Sequence, residues 1–274
     1  MVTFWFLAVL GIAGLLVGSF LNVVISRIPE GKSIIRPRSS CASCRYTISA
    51  VDNIPLISWL VLRGQCRNCS VSISLQYPAV EALTGLVWLV LGWWALATAP
   101  SDIWINPLLP LMLVFGSALI SLAIIDMKWR RLPNPIVYFL YPVCVVGLMV
   151  AAIIAGDLSV IPGLLLSSLG GALLWGGVIG GLWLVSGGKA MGLGDAKLAP
   201  VLGAILGWQG FSSAALGLLA AFIVGACFGL LLLALRQTHA KATIAFGPFL
   251  IVGFFVGLVA GPQFWDSYRA LVGL

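Results

Sequence analysis

Two carboxylates and four thiols carry the chemistry open to this sequence. Asp126 closes the apolar run PLLPLMLVFGSALISLAIID, and Asp195 lies in GLGDAKL (192–198), where a long apolar stretch meets a short basic loop. The whole chain holds only eight carboxylates, so two at apolar boundaries stand out. A carboxylate beside hydrocarbon costs roughly 2.5–3.5 kcal/mol on insertion scales, which makes it a candidate functional group by default. Two carboxylates about 3 Å apart do not both ionise readily. The ionised one can then activate water while the protonated one polarises a carbonyl, which is acid–base hydrolysis. The plain alternative is that each aspartate caps a helix or meets headgroup-level water, where the cost is smaller. Gly192 and Gly194 flank the second aspartate on its N-terminal side and permit close backbone approach, a supporting role for the site. Lys128 and Lys197, two residues beyond the aspartates, point to other helix faces and read as interfacial anchors.

The thiols are Cys41, Cys44, Cys66 and Cys69, in CASC, then 21 intervening residues, then CRNC. Each CxxC knuckle turns two thiolates to one point, and two knuckles complete a tetrahedral S4 set for zinc. The spacing lies just beyond the usual template for such pairs. A loop of this size with few large apolar residues builds little core, so metal can supply its folding energy. Between the knuckles, VDNIPLISWLVLRG offers a small apolar face for the zinc module or the membrane surface. The other two cysteines, Cys144 and Cys227, lie in apolar spans and read as small hydrophobes packed against neighbours.

The elements that must position these groups are membrane helices. With 61% hydrophobic residues, 8% charged and a mean hydropathy of +1.12, the chain is an integral membrane protein. Apolar spans of about 20 residues fall near 4–25, 79–98, 107–126, 135–155, 160–185, 198–212, 213–235 and 244–264. With the N-terminus outside, fourteen of the fifteen Lys and Arg residues fall in inner loops, from Arg27 to Lys241, and only Arg269 does not. That asymmetry satisfies the positive-inside rule with eight spans and both termini outside. It also accounts for the net charge of +7 as a topology signal, with no nucleic-acid partner implied. Asp126 and Asp195 then both fall at the cytoplasmic edge, and the four cysteines lie in the reducing cytoplasm, which disfavours disulfides.

The expected fold is therefore an all-α polytopic membrane protein of about eight transmembrane helices. A small cytoplasmic zinc-binding domain is inserted between helices 1 and 2. The divisions are a first transmembrane helix (1–25), a tetracysteine zinc domain (26–78) and a transmembrane bundle carrying the aspartates (79–274). The first span has no basic n-region or trustworthy cleavage pattern, and reads as retained. GLLVG (14–18), GGVIGG (176–181) and GFFVG (253–257) are small-residue patterns for close helix packing. Trp93, Trp94, Trp104 and Trp129 read as interfacial anchors. His239, the one histidine, reads as a solvated side chain in the loop RQTHAKAT.

In order along the chain, GSFLNVVISRIP (18–29), CASC, DNIPLISWLVLRGQCRNC (52–69), ISLQYPAVE (73–81), IIDMKWRRLPN (124–134) and GLGDAKL resemble the bacterial type IV prepilin peptidases. These are bifunctional leader peptidase/N-methyltransferases of pilus and type II secretion pathways. The resemblance spans nearly the whole chain and is far more specific than the GxGD tetrapeptide alone. It implies catalytic roles for Asp126 and Asp195 and a zinc role for the four cysteines. It also implies a methyltransferase-linked N-terminal domain that uses S-adenosylmethionine. The implied substrate is a prepilin or pseudopilin with a short basic leader, a glycine before the scissile bond and a hydrophobic helix after it, in the bacterial inner membrane. Glu81, where the loop returns to the membrane, is the candidate for cofactor binding; its plain alternative is a carboxylate solvated at a helix start. The sequence departs from the family at Asn134, where aspartate is frequent, and at Gln76, where arginine is.

Two other readings compete. A transporter would use the same aspartates as ion or proton ligands, but its sites usually lie near the bilayer midplane. A zinc-bearing assembly scaffold would need neither aspartate.

Overall fold

The computed structural model describes residues 2–99, 105–155, 159, 161–189, 191–235 and 245–272. Eight long helices and one short helix account for the described fold, with no sheet among the described residues. They are α1 (Val2–Arg27), the short α2 (Ile57–Val61), α3 (Gln76–Ala97), α4 (Leu109–Trp129), α5 (Asn134–Ala155), α6 (Ile161–Ser186), α7 (Leu193–Gln209), α8 (Phe211–Ala234) and α9 (Gly247–Val272). Seven are long and apolar enough to cross a membrane, so the protein is a multi-pass membrane protein. The eighth long helix, α7, has 17 residues and falls short of that length.

Helix ends follow local chemistry. Pro133 and Pro135 prevent α4 from continuing, and Pro135 becomes the second residue of α5, where its missing N–H costs nothing. Arg130, just beyond α4, adopts a φ of 51° and closes the helix with an N–H bond to the Asp126 carbonyl.

The chain divides into two compact units, Met1–Ser121 and Leu122–Leu274, with the division inside α4. In the first unit α1 packs along α3. Gly14 and Gly18 make that seam: a Cβ at residue 14 would lie 2.9 Å from the Gly85 Cα, and one at residue 18 would lie 2.7 Å from the Glu81 Cα. In the second unit α7 is central, packed by α5, α6, α8 and α9. Beyond Leu193 none of its residues is exposed. The α6–α7 seam is glycine on glycine, since a Cβ at Gly207 would fall 3.1 Å from the Gly171 Cα. Ser167 and Ser168 add hydroxyl bonds across it to the Gly207 and Ala204 carbonyls.

Several expectations need correction. Among the described residues, only Gly176 of GGVIGG meets a neighbour, Pro200; Gly177, Gly180 and Gly181 meet none. Cys144 is buried as expected, but Cys227 is exposed on the outward face of α8, beside Ile223 and Leu230. Trp94 is a core residue at 3% exposure, whereas Trp93 and Trp129 are exposed. These misassignments share a cause. Helices apolar all round give no polar stripe from which to tell inner from outer faces. Asp102, Trp104, Asp157, Arg236, His239 and Lys241 lie outside the described residues.

Candidate active site and metal centre

Asp126 occupies the last turn of α4 and Asp195 the first turn of α7. Both are buried, at 6% and 7% exposure, deep enough that each must find partners other than bulk water. The structure brings them together over the first residue of α9. The Gly247 N–H donates to Asp126 Oδ2 at 3.1 Å. A Cβ at residue 247 would lie 2.6 Å from that oxygen and 3.4 Å from Asp195 Oδ1, so the two oxygens are at most about 6 Å apart, the sum of those distances. Two carboxyl groups at that separation can flank a single water or carbonyl. Among the described residues, Asp195 Oδ1 accepts no hydrogen bond. A buried carboxylate oxygen without a partner is costly, and such cost is usually kept where a ligand or a shared proton supplies the partner.

The glycines next to Asp195 serve different contacts. The Asp195 carboxylate folds back over Gly192, where a Cβ would lie 3.0 Å from Oδ2. Gly194 faces the loop after α4, where a Cβ would lie 2.7 Å from the Leu132 Cβ. Lys197 turns away from both aspartates: its Nζ donates to Asn134 Oδ1 at 3.1 Å and sits over the Tyr138 ring. Tyr141 donates to the Lys197 carbonyl at 2.7 Å, tying α5 to α7 beside the site.

Gly247 was not legible in the sequence as part of this group. It is fixed in place by Phe246, whose ring packs against Phe222 and Phe249, and whose carbonyl accepts the first turns of α9. The one available signal was the Gly-Pro pair at an apolar helix start, a common N-terminal signature with no chemistry of its own.

The four cysteines lie in the first unit. Their sulfurs all fall within 4.8 Å of one another, with Cys41–Cys69 at 3.8 Å and Cys44–Cys66 at 4.0 Å. Tetrahedral zinc with Zn–S bonds of about 2.3 Å needs sulfurs about 3.8 Å apart, so the donor set fits that ion. The two knuckles are a repeat with an offset of 25 residues. Arg45 N donates to the Cys41 carbonyl as Ser70 N does to Cys66. Cys41 N donates to Tyr46 as Cys66 N does to Val71, and Ile48 N to Ser39 as Ile73 N to Gly64. Arg45 and Ser70 share a φ of 57°, the left-handed turn that brings the chain after each second cysteine back to bond the first cysteine's backbone. Hydrogen bonds from the Tyr46 backbone and the Asn68 side chain draw the Cys44 thiol down to about 6, towards the thiolate that binds metal.

Around the knuckles, Arg67 holds Asp52 through Nε and the second guanidinium nitrogen, the latter at 2.6 Å from Oδ1. That guanidinium keeps the Asp52 carboxyl below its ordinary range. Trp59 of α2 donates to the Ile73 carbonyl at 3.3 Å, while Ile57, Leu60 and Val61 point outwards. The apolar stretch between the knuckles thus packs on the module through Trp59 only in part. Glu81, in the second turn of α3, is buried at 8% exposure and accepts from the Leu56 N–H at 2.9 Å. A solvated helix-start carboxylate is therefore not what the fold contains.

Residues 12–95 match the Bacterial Peptidase A24 N-terminal domain, and residues 113–259 match the Type IV leader peptidase family. Three curated relatives are each named prepilin leader peptidase/N-methyltransferase. The one from Aeromonas salmonicida (strain A449) is 33% identical, with 94% of this chain and 92% of that protein covered. That from Stutzerimonas stutzeri is 34% identical, covering 94% and 91%, and that from Pseudomonas aeruginosa 33%, covering 95% and 92%. No solved structure matches. The chain belongs to the type IV leader peptidase family, as a membrane-embedded peptidase bearing that family's bacterial N-terminal domain.

Proposed function

We propose that this protein removes the short basic leader of type IV prepilins or pseudopilins and then methylates the newly exposed N-terminal amine. Asp126 and Asp195 are the catalytic pair of the first reaction. The observation that carries this reading is their convergence, buried, on the Gly247 backbone. In this reaction one carboxyl carries a proton and the other is ionised, the division that acid–base hydrolysis by two carboxyl groups requires. The ionised partner takes a proton from water as its oxygen bonds to the scissile carbonyl carbon, and the protonated partner hydrogen-bonds the developing oxyanion. Collapse of that adduct breaks the C–N bond, and the departing amine takes up the proton. Gly247 holds Asp126 by its N–H, while Gly192 and Gly194 give Asp195 room and bring its helix close to the α4–α5 loop.

The bond to be cut sits at the cytoplasmic edge of the bacterial inner membrane. The loop charges support this orientation, because the basic residues gather on the side that carries both aspartates. The substrate's hydrophobic helix lies in the bilayer, and its leader remains in the cytoplasm. Residues 1–25, 26–78 and 79–274 serve as membrane anchor, methyltransferase-linked zinc domain and peptidase bundle. Cys41, Cys44, Cys66 and Cys69 hold structural zinc. S-adenosylmethionine supplies the methyl group when bound, with Glu81 among the groups that receive it. No nucleic acid takes part.

The test is mass spectrometry of a prepilin co-expressed with the enzyme. A shortened, singly methylated N-terminus is expected from the wild type. Asp126→Asn and Asp195→Asn should each leave the substrate full length, with the enzyme inserted and its zinc content unchanged. Normal cleavage by both variants defeats the catalytic assignment, and uptake of solutes into vesicles without any cleavage favours a transporter instead.

A further inference from the structure

A cavity of about 370 Å³ lies in the first unit, between the ends of α1 and α3 and the metal module. Its size falls in the range of about 300–1,000 Å³ typical of pockets for small molecules. The wall is largely apolar and aromatic, with Tyr46, Ile48, Ile54, Trp59 and Leu62 among its members. Two polar side chains on the helical floor are more than nine-tenths buried: Asn22 at 3% exposure and Glu81 at 8%. They are brought together because Gly18, one turn before Asn22, lets α1 approach the Glu81 backbone.

Each of these groups is only half used. Asn22 donates to the Tyr77 and Gly18 carbonyls at 3.1 and 3.3 Å, which leaves Oδ1 buried with no partner among the described residues. Glu81 takes one hydrogen bond among the described residues, from Leu56 to Oε2. A buried amide oxygen with no donor and a carboxylate with a single one call for a ligand rich in N–H or O–H groups, or carrying positive charge. The wall's own charge points the same way. Arg67, the one basic side chain of the lining, is committed to Asp52, which leaves Glu81 without a cation in the wall.

We infer that this cavity is the binding site for the adenosyl sulfonium methyl donor, with Asn22 and Glu81 its polar anchors. The inference rests on the methyltransferase reading proposed above and assigns it a place. The ligand's net positive charge, hydroxyl pair and ammonium provide the missing donors, and its adenine ring suits the aromatic wall. Cys41 and Cys66 also line the cavity, so the metal site braces one side of it. That placement explains why a membrane peptidase carries a metal module outside its aspartate-bearing unit: the module walls a second chamber.

The experiment uses the zinc-loaded, full-length enzyme in nanodiscs, without peptide substrate, and equilibrium dialysis with radiolabelled S-adenosylmethionine. The expected result is that Glu81→Gln and Asn22→Leu each weaken binding about tenfold or more, the value of a lost hydrogen bond to a charged or buried group. Zinc content and melting temperature serve as the fold check. Should either variant misfold, ultraviolet crosslinking of S-adenosylmethionine to the wild type keeps the question open to refutation. Label is expected on peptides within residues 19–23 and 39–81. Wild-type affinity retained by both folded variants, or label confined to residues 122–272, overturns the assigned site and leaves methyl transfer standing. Absence of any binding by the wild type overturns the methyltransferase reading itself.

Discussion

Gly247→Ala tests the peptidase geometry with a single methyl group. The new Cβ would lie 2.6 Å from Asp126 Oδ2, whereas ordinary contact begins at 3.4 Å. Either the carboxylate or the start of α9 must give by about 0.8 Å, the difference between those values. The start of α9 is held by Phe246 between Phe222 and Phe249, so the carboxylate is the softer partner. A misplacement near 1 Å costs about a hundredfold in rate. The expected fall in kcat is therefore about 10²-fold, or about 2.7 kcal/mol in the barrier. Stability should hold, since alanine is the better helix former by up to about 1 kcal/mol. The assay is cleavage of a purified prepilin in nanodiscs with kcat and KM separated, and methylation of an already shortened peptide as an internal control. Full-rate cleavage by a folded Gly247→Ala enzyme would refute the placement of Asp126 against that backbone.

Other perturbations read different parts of the molecule. Cys66→Ser should lower bound zinc from about one ion per chain to near zero by elemental analysis, with new proteolysis between residues 28 and 75; unchanged metal content would rule out the S4 set. Gly171→Val places a branched side chain where a Cβ already falls on the Gly203 and Gly207 backbones. It should cost several kcal/mol and reduce membrane-inserted yield, measured by fluorescence-detected chromatography, and an undisturbed melting temperature would contradict the seam. Asn134→Asp pairs a carboxylate with Lys197 and should leave cleavage intact, with stability changed by less than about 1 kcal/mol in a thermal melt.

How legible this was in the sequence depends on where each residue type leaves a trace. Ends of helices were legible because Pro133, Pro135 and the basic loops punctuate apolar runs. Asp126 and Asp195 were legible because a charge in such company is costly. The metal ligands announced themselves by spacing. Gly247 left no trace, since what it offers Asp126 is a backbone N–H that every non-proline residue has. Asn22 did leave one, as an amide in an otherwise apolar span, but its bearing depended on Gly18 admitting α3 at Glu81. The division of labour among the bundle helices was hidden for a related reason. The polar residues of α7, Asp195, Lys197 and Gln209, set it apart from the more apolar α8, but they do not announce that α7 is the enclosed helix while α8 leaves nearly half of its residues exposed.

The shortness of α7 has a physical consequence of its own. Seventeen residues rise about 25 Å, less than the roughly 30 Å of hydrocarbon that a lipid-facing helix must match. Because α5, α6, α8 and α9 enclose it, α7 is exempt from that matching. A thicker or thinner bilayer would tilt the enclosing helices, which meet lipid directly, and leave the enclosed one unstressed. Changes in acyl-chain length therefore act on Asp195 only through its surroundings, by moving the ends of α4 and α9 relative to a fixed post.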